Sequence, residues 1–419
     1  MENAQAHHAL LNNDAVIFGI LMLMLALIFK TSASQRPGWK KFYKFLPMIL
    51  LCYFLPSLLN TFGLINGEDS QLYFVASRYL LPACLVLLTI SVDLKGIFKL
   101  GPKALIMFFT ATIGVIIGGP LAILITATFA PDLVGGIGPE AVWRGMSTIA
   151  GTWIGGGANQ AAMYEIFKPS DSLYSIMITV DVIVAEIWMF FLLIGVGKAK
   201  DIDNYFKADA SSIDTLQKKM EDYSLSIAKI PSATDLMVIL GVAFGATAIA
   251  HWGADTIAPY IQEHAPYLNK YSLTSNFFWL IVIATTFGVA LSFTKAKELE
   301  GAGASKIGTL FIFILVATIG MKMDIKAIAS NPGLFMVGGI WMAIHVVLLL
   351  IVGKLIRAPY FFLAVGSKAN IGGAASAPVV AAAFHPSLAP VGVLLAVLGY
   401  ILGTYGAWIC GILMKAAAQ

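Results

Sequence analysis

The sequence predicts an all-α polytopic membrane protein made of two repeats, each containing one helix that is broken by glycine. Composition is the first reason: 58% of the 419 residues are hydrophobic, 12% are charged, and the mean hydropathy is +0.83, which a soluble domain of this length could not carry. Uncharged runs are the second reason, since at least four of them reach the ~20 residues that span hydrocarbon. These runs cover residues 45–67, 104–131, 271–294 and 389–414. The third reason is a glycine-rich break that occurs twice.

Apolar runs and Gly/Pro punctuation predict twelve helices, six in each half of the chain. They lie near residues 15–31, 45–65, 72–92, 104–129, 145–167, 172–197, 235–253, 273–294, 305–322, 333–356, 359–384 and 389–414. The one long polar stretch runs from Lys198 to Ala233. We therefore expect a first transmembrane repeat at 1–197, a polar linker at 198–233 and a second repeat at 234–419.

The repeated break places Gly155-Gly156 and Gly372-Gly373 at matching positions, 217 residues apart. Each pair follows an Ile and is followed at the same offsets by Phe, Pro and Ser. Backbone that is freed from helical pairing cannot face lipid, so such a tract at membrane depth must line a cavity or contact a solute. Two interrupted helices at matching places in two halves are the best sequence indication of a transporter's binding site.

Neutral oxygens accompany both breaks. Thr152, Asn159 and Gln160 flank the first, and Ser376 follows the second. Together with exposed backbone carbonyls they form the ligand set that a small hard cation accepts. We expect a sodium site formed by Asn159, Gln160, Ser376 and Asp181. The alternative is that the small residues simply let helices approach closely.

Two carboxylates lie inside the helix after the first break, Asp181 and Glu186. An ionisable group at bilayer depth is costly and therefore a functional candidate. The two side chains are about 140° apart around the helix, so they cannot form one paired-carboxylate site. If one faces the broken segment, the other faces a neighbouring helix. The alternative for each is a structural hydrogen-bond network or a position nearer the interface.

Lys368 and Asn370 precede the second glycine pair. A lysine beside a helix break favours an anionic solute or a charge pair with Asp181. Alternatively, Lys368 snorkels to the interface. His345 lies mid-span, where it is either a packing residue or a proton-linked switch.

Several functional classes find no support. The chain has no GxSxG, HExxH, P-loop or Rossmann glycine motif, so we expect neither an enzyme nor a resident cofactor beyond a coupling Na⁺ or H⁺. The net charge of +4 is scattered and does not favour nucleic acid. No basic region precedes an apolar run at the N-terminus, which argues against a cleaved signal peptide. Cys52, Cys84 and Cys410 lie in apolar spans, where we expect them to be packing residues.

Loop charges give a conflicting orientation. Basic residues cluster in the first loop (Arg36, Lys40, Lys41 and Lys44) and the third (Lys95, Lys99 and Lys103), which places both inside and the N-terminus outside. Twelve crossings also return Lys415 outside, whereas Lys354 and Arg357 prefer the inside together with the C-terminus. An even number of crossings per half implies parallel repeats. We therefore expect one miscounted span, between Thr234 and Thr294.

The motifs Gly151–Gln160 (GTWIGGGANQ) and Lys368–Gly373 (KANIGG) resemble the domain-of-unknown-function 819 family. That family resembles the superfamily of cation/proton antiporters and bile-acid-type sodium symporters. The resemblance covers nearly the whole chain and implies a panel domain, a core domain with two crossing broken helices, and elevator-type alternating access. The antiporter branch has its ion-binding acid where Asp181 stands, usually preceded by Asn or Asp. Here Val180 precedes it, which favours ion-coupled uptake over antiport.

The sequence thus predicts a secondary transporter, a sodium- or proton-coupled symporter of a small anionic organic solute. Asn159, Gln160, Asn370 and Ser376 would line its site, and Asp181 would bind the coupling ion. A cation/proton antiporter is the alternative within transport. A receptor or intramembrane enzyme is the alternative outside it, and would make the breaks packing devices. The expected partners are the bilayer, here a bacterial inner membrane, the solute and a second copy in a homodimer.

Overall fold

A computed structural model of the chain describes residues 10–46, 48–67, 69–90, 100–209, 213, 230–271, 273–322, 332–385 and 388–419. These residues form α-helices with short π and 3-10 turns, and one isolated bridge joins Leu11 to Ile65. Ten long helices and two broken ones organise the described part of the chain. The long helices are α1 (Asp14–Ser32), α2 (Met48–Thr61), α3 (Leu72–Ile90), α4 (Pro102–Ala127), α5 (Asp171–Val196), α6 (Ala233–His264), α7 (Asn276–Ser292), α8 (Ala304–Gly320), α9 (Gly333–Leu355) and α10 (Ala389–Ala417).

All twelve predicted segments are helical, and most boundaries agree with the sequence within three residues. The largest difference is α6, predicted to end near 253 and extending to His264. It begins at a capping box in which Ser232 and Asp235 exchange side-chain and backbone hydrogen bonds. Seven helices of the described residues are long and apolar enough to cross a membrane, eight if α7 is counted with its bent continuation Lys295–Ala302. The chain is a multi-pass membrane protein.

The first broken helix, Val142–Phe167, does not cross the bundle. A Cβ placed on Gly151 would lie 2.5 Å from the carbonyl oxygen of Asn159, although these residues would be about 12 Å apart along a straight helix. At the other end of the segment the rings of Trp143 and Phe167 are 5.7 Å apart. The chain therefore reverses at Gly156 and leaves at the end where it entered. We call this segment hairpin 1.

The second broken helix reverses in the same way. Its arms are Tyr360–Asn370 and Gly373–Phe384, and the rings of Phe361 and Phe384 are 5.2 Å apart. A continuous helix would separate those rings by about 35 Å. We call this segment hairpin 2. The prediction of crossing helices is wrong for both breaks, because a glycine break fixes where helical pairing stops and leaves the direction of the next arm open.

Side-chain contacts show which loops share an end of the bundle. At the end that holds the base of hairpin 1, Arg78 pairs with Glu165, Lys322 pairs with Asp171 and Trp408 donates to the Tyr271 carbonyl. At the end that holds the base of hairpin 2, Lys103 donates to the Arg357 carbonyl and Asp203 accepts from the Tyr360 N–H. The two hairpins thus enter from opposite ends.

This topology resolves the conflict over orientation. Ten helices of the described residues run between the two ends and the hairpins do not, so the chain changes ends five times in each half rather than six; seven or eight of these ten helices have the length and hydropathy of a full membrane span. The prediction of a miscounted span between Thr234 and Thr294 is wrong, since that region holds α6 and α7 as expected; the miscount lay at the breaks. Basic residues collect at the hairpin-2 end, which the positive-inside rule assigns to the cytoplasm. They include Arg36, Lys40, Lys41, Lys103, Lys354 and Arg357, whereas Lys415 lies at the hairpin-1 end beside Trp143. Lys95 and Lys99 lie outside the described residues, as does most of the predicted linker.

The helices form two packing groups. The hairpin group contains both hairpins with α4, α5, α9 and α10, and the scaffold group contains α1, α2, α3, α6, α7 and α8. The seam between them runs where hairpin 1 and α10 meet α3 and α7. Cys52, Cys84 and Cys410 are buried free thiols inside this packing, as predicted.

Candidate functional site

The tips of the two hairpins meet inside the bundle. Gly156 has φ +74°, and Gly372 and Gly373 have φ +97° and +55°, a region that glycine enters without steric cost. A Cβ on Gly373 would lie 4.0 Å from the Gly156 Cα, and the Tyr400 ring of α10 lies against both tips. The two glycine breaks predicted from the sequence therefore come together at one place in the molecule.

Asp181 of α5 joins the two arms of hairpin 1. Its Oδ1 accepts from the indole N–H of Trp153 at 2.7 Å, and its Oδ2 accepts from the amide of Gln160 at 3.1 Å. The carboxylate is 4% exposed. Tyr53 of the scaffold group donates to Gln160 Oε1 at 3.1 Å, which orients the amide nitrogen toward Asp181. Predicted residues Gln160 and Asp181 are thus in direct contact.

Two hydroxyls near the tips lack regular hydrogen bonds within the described residues. Thr152 Oγ1 is buried beside the Asp181 carboxylate, and Ser376 Oγ is buried against Gly372. Thr152 also interacts with that carboxylate, whereas Ser376 Oγ has no partner within the described residues, and a buried hydroxyl without a partner costs roughly 1–3 kcal/mol. Such groups mark places where an ion, a water molecule or a solute completes the bonding.

Asn159 faces away from Asp181. Its Nδ2 donates to the carbonyls of Gly155 and Tyr400, and its Oδ1 accepts from Thr404 at 2.7 Å. The side chain therefore fastens hairpin 1 to α10. Of the expected sodium ligands, Gln160 and Asp181 touch each other, Ser376 lies at the other tip and Asn159 belongs to this separate network.

Lys368 of hairpin 2 is 1% exposed, so it does not snorkel to an interface. Its ammonium donates to the Ala185 carbonyl of α5 at 3.1 Å and lies within electrostatic range of Asp181 and Glu186. Ala185 is one turn beyond Asp181 on the same helix. The helix α5 therefore contacts hairpin 1 through Asp181 and hairpin 2 through Ala185.

The remaining polar groups of hairpin 2 are satisfied by core helices. Asn370 accepts from Thr112 at 2.8 Å and donates to the Phe108 carbonyl, both on α4. Ser367 bonds to Trp188 of α5 and to His345 of α9, each at 2.8 Å. His345 is thus a buried member of a packing network around hairpin 2.

Glu186 lies apart from the tips. Its side chain is exposed on the outside of the described bundle, in line with Ile183 and Phe190, whereas Asp181 on the other side of α5 is buried. The two side chains lie on different sides of the helix, but the expectation that the second one faces a neighbouring helix is wrong, because the Glu186 side chain is exposed. Glu186 contributes charge near Lys368 but does not contact hairpin 1.

Sequence reasoning missed Trp153, Tyr53 and Thr404, which are contacts of Asp181, Gln160 and Asn159. A signal existed for Trp153, because its indole N–H lies within the glycine motif and a buried indole needs an acceptor. No local signal identified Tyr53 or Thr404, which are 107 and 245 residues away from their partners in sequence.

Comparison with known proteins identifies the family to which the chain belongs. Residues 19–417 match the family described as "Protein of unknown function (DUF819)". A relative is the uncharacterized membrane protein YjcL of Bacillus subtilis (strain 168), which is 25% identical over 353 residues, covering 80% of this chain and 82% of YjcL. Because the family match spans both hairpins and all ten long helices but for the first turn of α1, this chain belongs to the DUF819 family.

Proposed function

We propose that the protein is a secondary active transporter of the bacterial inner membrane, a setting that the Bacillus relative supports. The observation that carries the proposal is the meeting of two re-entrant hairpin tips, from opposite ends of the bundle, beside a buried carboxylate and a buried ammonium. Non-helical backbone at membrane depth is tolerated where it lines a cavity or a solute. The proposal includes no enzymatic activity and no resident cofactor.

The fold is an inverted repeat in this proposal, with α1–α5 and hairpin 1 related to α6–α10 and hairpin 2. Five crossings per half invert the second half relative to the first. Reciprocal packing supports the relation: α1 packs on α2 as α6 packs on α7, and α2 packs on α8 as α7 packs on α3.

Alternating access would move the hairpin group against the scaffold group, which correspond to the core and panel of an elevator-type carrier. The seam is suited to movement because few polar contacts are described across it. They join the scaffold group to three elements of the hairpin group: hairpin 1, α5 and α10. They are the ion pairs Arg78–Glu165 and Lys322–Asp171 and the hydrogen bonds of Tyr53, Tyr73, Thr285, Thr286 and Trp408.

The coupling ion, Na⁺ or H⁺, would bind at Asp181. Thr152 provides a neighbouring hydroxyl oxygen of the kind that hard cations favour, whereas Gln160 turns its amide nitrogen toward the carboxylate. The solute would be a small organic anion that contacts the tip of hairpin 2, where Lys368 supplies positive charge and Ser376 a hydroxyl. Ion and solute would then meet across the two tips, which is symport.

The test is thermal unfolding of the purified protein in sodium and in choline salts and over a range of pH. Glu186→Gln is the matched control for Asp181→Asn, since both remove a carboxylate from α5 but only Asp181 contacts hairpin 1. A ligand that binds the folded state stabilises it by mass action, about 2.7 kcal/mol at 100 times Kd. Stabilisation by sodium that Asp181→Asn abolishes and Glu186→Gln retains would support sodium coupling.

A pH-dependent shift with the same mutational pattern, without a sodium effect, would assign the coupling to protons. No dependence on either ion in the wild type would contradict the role given to Asp181. If Gly156→Ala and Gly373→Ala lower stability alone and leave ion binding unchanged, the tips are packing devices and the transporter proposal fails.

Cation/proton antiport is the second candidate, because α5 carries the buried carboxylate of Asp181 and its Ala185 carbonyl accepts from the buried ammonium of Lys368, two groups that could exchange a cation for a proton without an organic solute. In proteoliposomes it predicts sodium-driven acidification or alkalinisation in solute-free buffer. Symport predicts no such flux until the solute is added.

A further inference from the structure

A nine-residue helix, Pro37–Phe45, lies between α1 and α2 at the hairpin-2 end of the bundle. Four residues separate it from α1, and Pro37 begins it, at a position where a missing N–H leaves no helical hydrogen bond unmade. Tyr43 fastens it to the last turns of α1, since its hydroxyl contacts Thr31 Oγ1 at 2.6 Å and donates to the Ile28 carbonyl at 3.1 Å. The segment, which we call the basic helix, is therefore held beside a membrane-spanning helix of the scaffold group.

One side of the basic helix is aromatic. Trp39, Phe42 and Tyr43 are three and four residues apart, so they share a face. Ring centroids are 5.8 Å apart for Trp39 and Phe42 and 5.1 Å apart for Phe42 and Tyr43. Trp39 is 38% exposed and Phe42 40%, so the described residues leave this face uncovered. Aromatic side chains beside the end of a membrane-spanning helix are typical of the membrane–water interface.

The opposite side of the basic helix carries positive charge. Lys40 and Lys41 are exposed on it, Arg36 is exposed just before it, and Lys30 is exposed in the last turn of α1. Within the part of the chain that the structure describes, no hydrogen bond or ion pair reaches the charged group of any of these four residues. Residues 15–67 contain no Asp or Glu. The positive charge of this side is therefore available to a partner outside the chain.

This combination of faces fits an anionic lipid surface. A helix with aromatic side chains on one side and lysines on the other lies in the plane of the interface, with its apolar side at the boundary of the acyl chains. Each Lys or Arg near an anionic leaflet strengthens binding about fivefold, and the attraction falls off within a Debye length. The basic helix begins only four residues after α1, which places its charges at the level of the headgroups. The positive-inside rule assigns this end to the cytoplasm.

We propose that the basic helix docks on the cytoplasmic leaflet and binds the headgroup phosphates of anionic phospholipids such as phosphatidylglycerol. Trp39 and Phe42 enter the boundary of the acyl chains. The phosphates are bound by the four exposed cations Lys30, Arg36, Lys40 and Lys41. This docking needs neither a coupling ion nor a transported solute. That it holds the scaffold group in place while the hairpin group moves rests on the proposed function.

The test places the full-length protein in phosphatidylcholine nanodiscs that contain increasing fractions of phosphatidylglycerol brominated in its acyl chains. Bromine quenches the fluorescence of nearby tryptophan, and the difference between the wild type and Trp39→Phe isolates the signal of Trp39. We expect half-maximal quenching of this signal at a mole fraction at least about fivefold lower for brominated phosphatidylglycerol than for phosphatidylcholine brominated in the same way, the value of one cation near the surface.

Two double variants show whether the lysines of the basic helix cause this preference. Lys40→Gln with Lys41→Gln should abolish it. The matched control is Lys295→Gln with Lys297→Gln, which removes two exposed lysines at the same end of the bundle, from the segment after α7 that also carries acidic residues. We expect the control to keep the preference. High salt should weaken the preference of the wild type, because it screens exposed charges.

Equal quenching of Trp39 by the two lipids in the wild type, or an equal loss of preference in both double variants, would overturn the proposal. Crosslinking of Trp39→Cys between two copies in pure phosphatidylcholine would overturn it in favour of a second copy of the chain. None of these outcomes depends on Asp181. The lipid preference should persist in Asp181→Asn, so docking and the transporter proposal can fail separately.

Discussion

The two hairpins share a sequence pattern and differ in what surrounds them. Hairpin 1 lies on the seam, where its residues Gln160 and Glu165 bond to Tyr53 and Arg78 of the scaffold group. The described hydrogen bonds of hairpin 2 go to helices of its own group and to the segment after α5, through Asn370, Ser367, Lys368 and Tyr360. Matching motifs therefore do not have matching roles. Hairpin 1 connects the two groups, whereas hairpin 2 is a fixed part of one of them.

The most decisive test of this comparison is to determine from which side of the membrane the base of each hairpin is accessible. Lys168 at the base of hairpin 1 and His385 at the base of hairpin 2 are both exposed, and the three native cysteines are buried. In intact cells, a membrane-impermeant thiol reagent should label Lys168→Cys and leave His385→Cys unlabelled until the membrane is opened. Labelling of both from outside would show that the hairpins enter from the same side.

Glycine substitution tests how tightly the arms of hairpin 1 are apposed, with a glycine of hairpin 2 that faces α4 as the comparison. A Cβ on Gly151 would lie 2.5 Å from the backbone oxygen of Asn159 in the returning arm, whereas one on Gly366 would lie 3.1 Å from the Phe108 nitrogen of α4. Gly151→Ala should cost roughly 3 kcal/mol or more by overpacking, and Gly366→Ala about 1 kcal/mol. Midpoints of unfolding in detergent measure both. Equal losses would mean that the arms of hairpin 1 are not apposed as described.

Substitutions in the two ion pairs of the seam should have a smaller effect on stability than the glycine substitution in hairpin 1. Arg78→Gln leaves the Glu165 carboxylate, whose side chain is 10% exposed, without its cation, so we expect a loss of about 1–3 kcal/mol. Lys322→Gln breaks a longer contact of 3.4 Å to Asp171, whose side chain is 31% exposed, and should cost less than about 1 kcal/mol. The reverse order of stabilities in unfolding measurements would contradict this ranking of the two pairs.

The smallest expected effect is a pH dependence of stability that arises at the base of hairpin 2. Asp203 accepts from the Tyr360 N–H, yet burial outweighs that bond and raises the pKa of its carboxyl. A raised native pKa contributes stability that is fully present below the unfolded pKa and lost as pH rises through the native one. Asp203→Asn keeps the acceptor oxygen, so its stability relative to wild type should improve as the pH is raised from acid to neutral. A constant difference across that range would show that Asp203 does not titrate differently on folding.

Much of the fold could be predicted from the sequence because the signals are local. Uncharged runs located the helices, and the paired glycines located both tips, where the structure shows positive φ angles at Gly156 and Gly372. The direction of the chain after each tip could not be read, since a straight continuation and a reversal need the same residues. The conflict of Lys354 and Arg357 with the twelve-span count was the available signal, and it is removed when both broken helices are counted as hairpins.

The candidate site was predictable only in part. Asp181 and Lys368 stand out because a charge inside an apolar helix is costly. Asn159 and Asn370 have the right chemistry for a ligand, but their bonds to Thr404 and Thr112 fasten hairpins to neighbouring helices. These partners are more than 200 residues away in sequence, and one sequence carries no signal for contacts over that distance.

The double contact of α5 has a thermodynamic consequence. Asp181 accepts from hairpin 1 and Ala185, one turn later, accepts from Lys368 of hairpin 2. A ligand that changes the free energy of one contact by displacing α5 must change the other, and linkage requires the effect to be equal in both directions. A cation that raises the affinity of the hairpin-2 tip for an anion tenfold would itself bind ten times more tightly when that anion is present. In the proposed symporter, this single shared helical turn would make the two ligands report on each other.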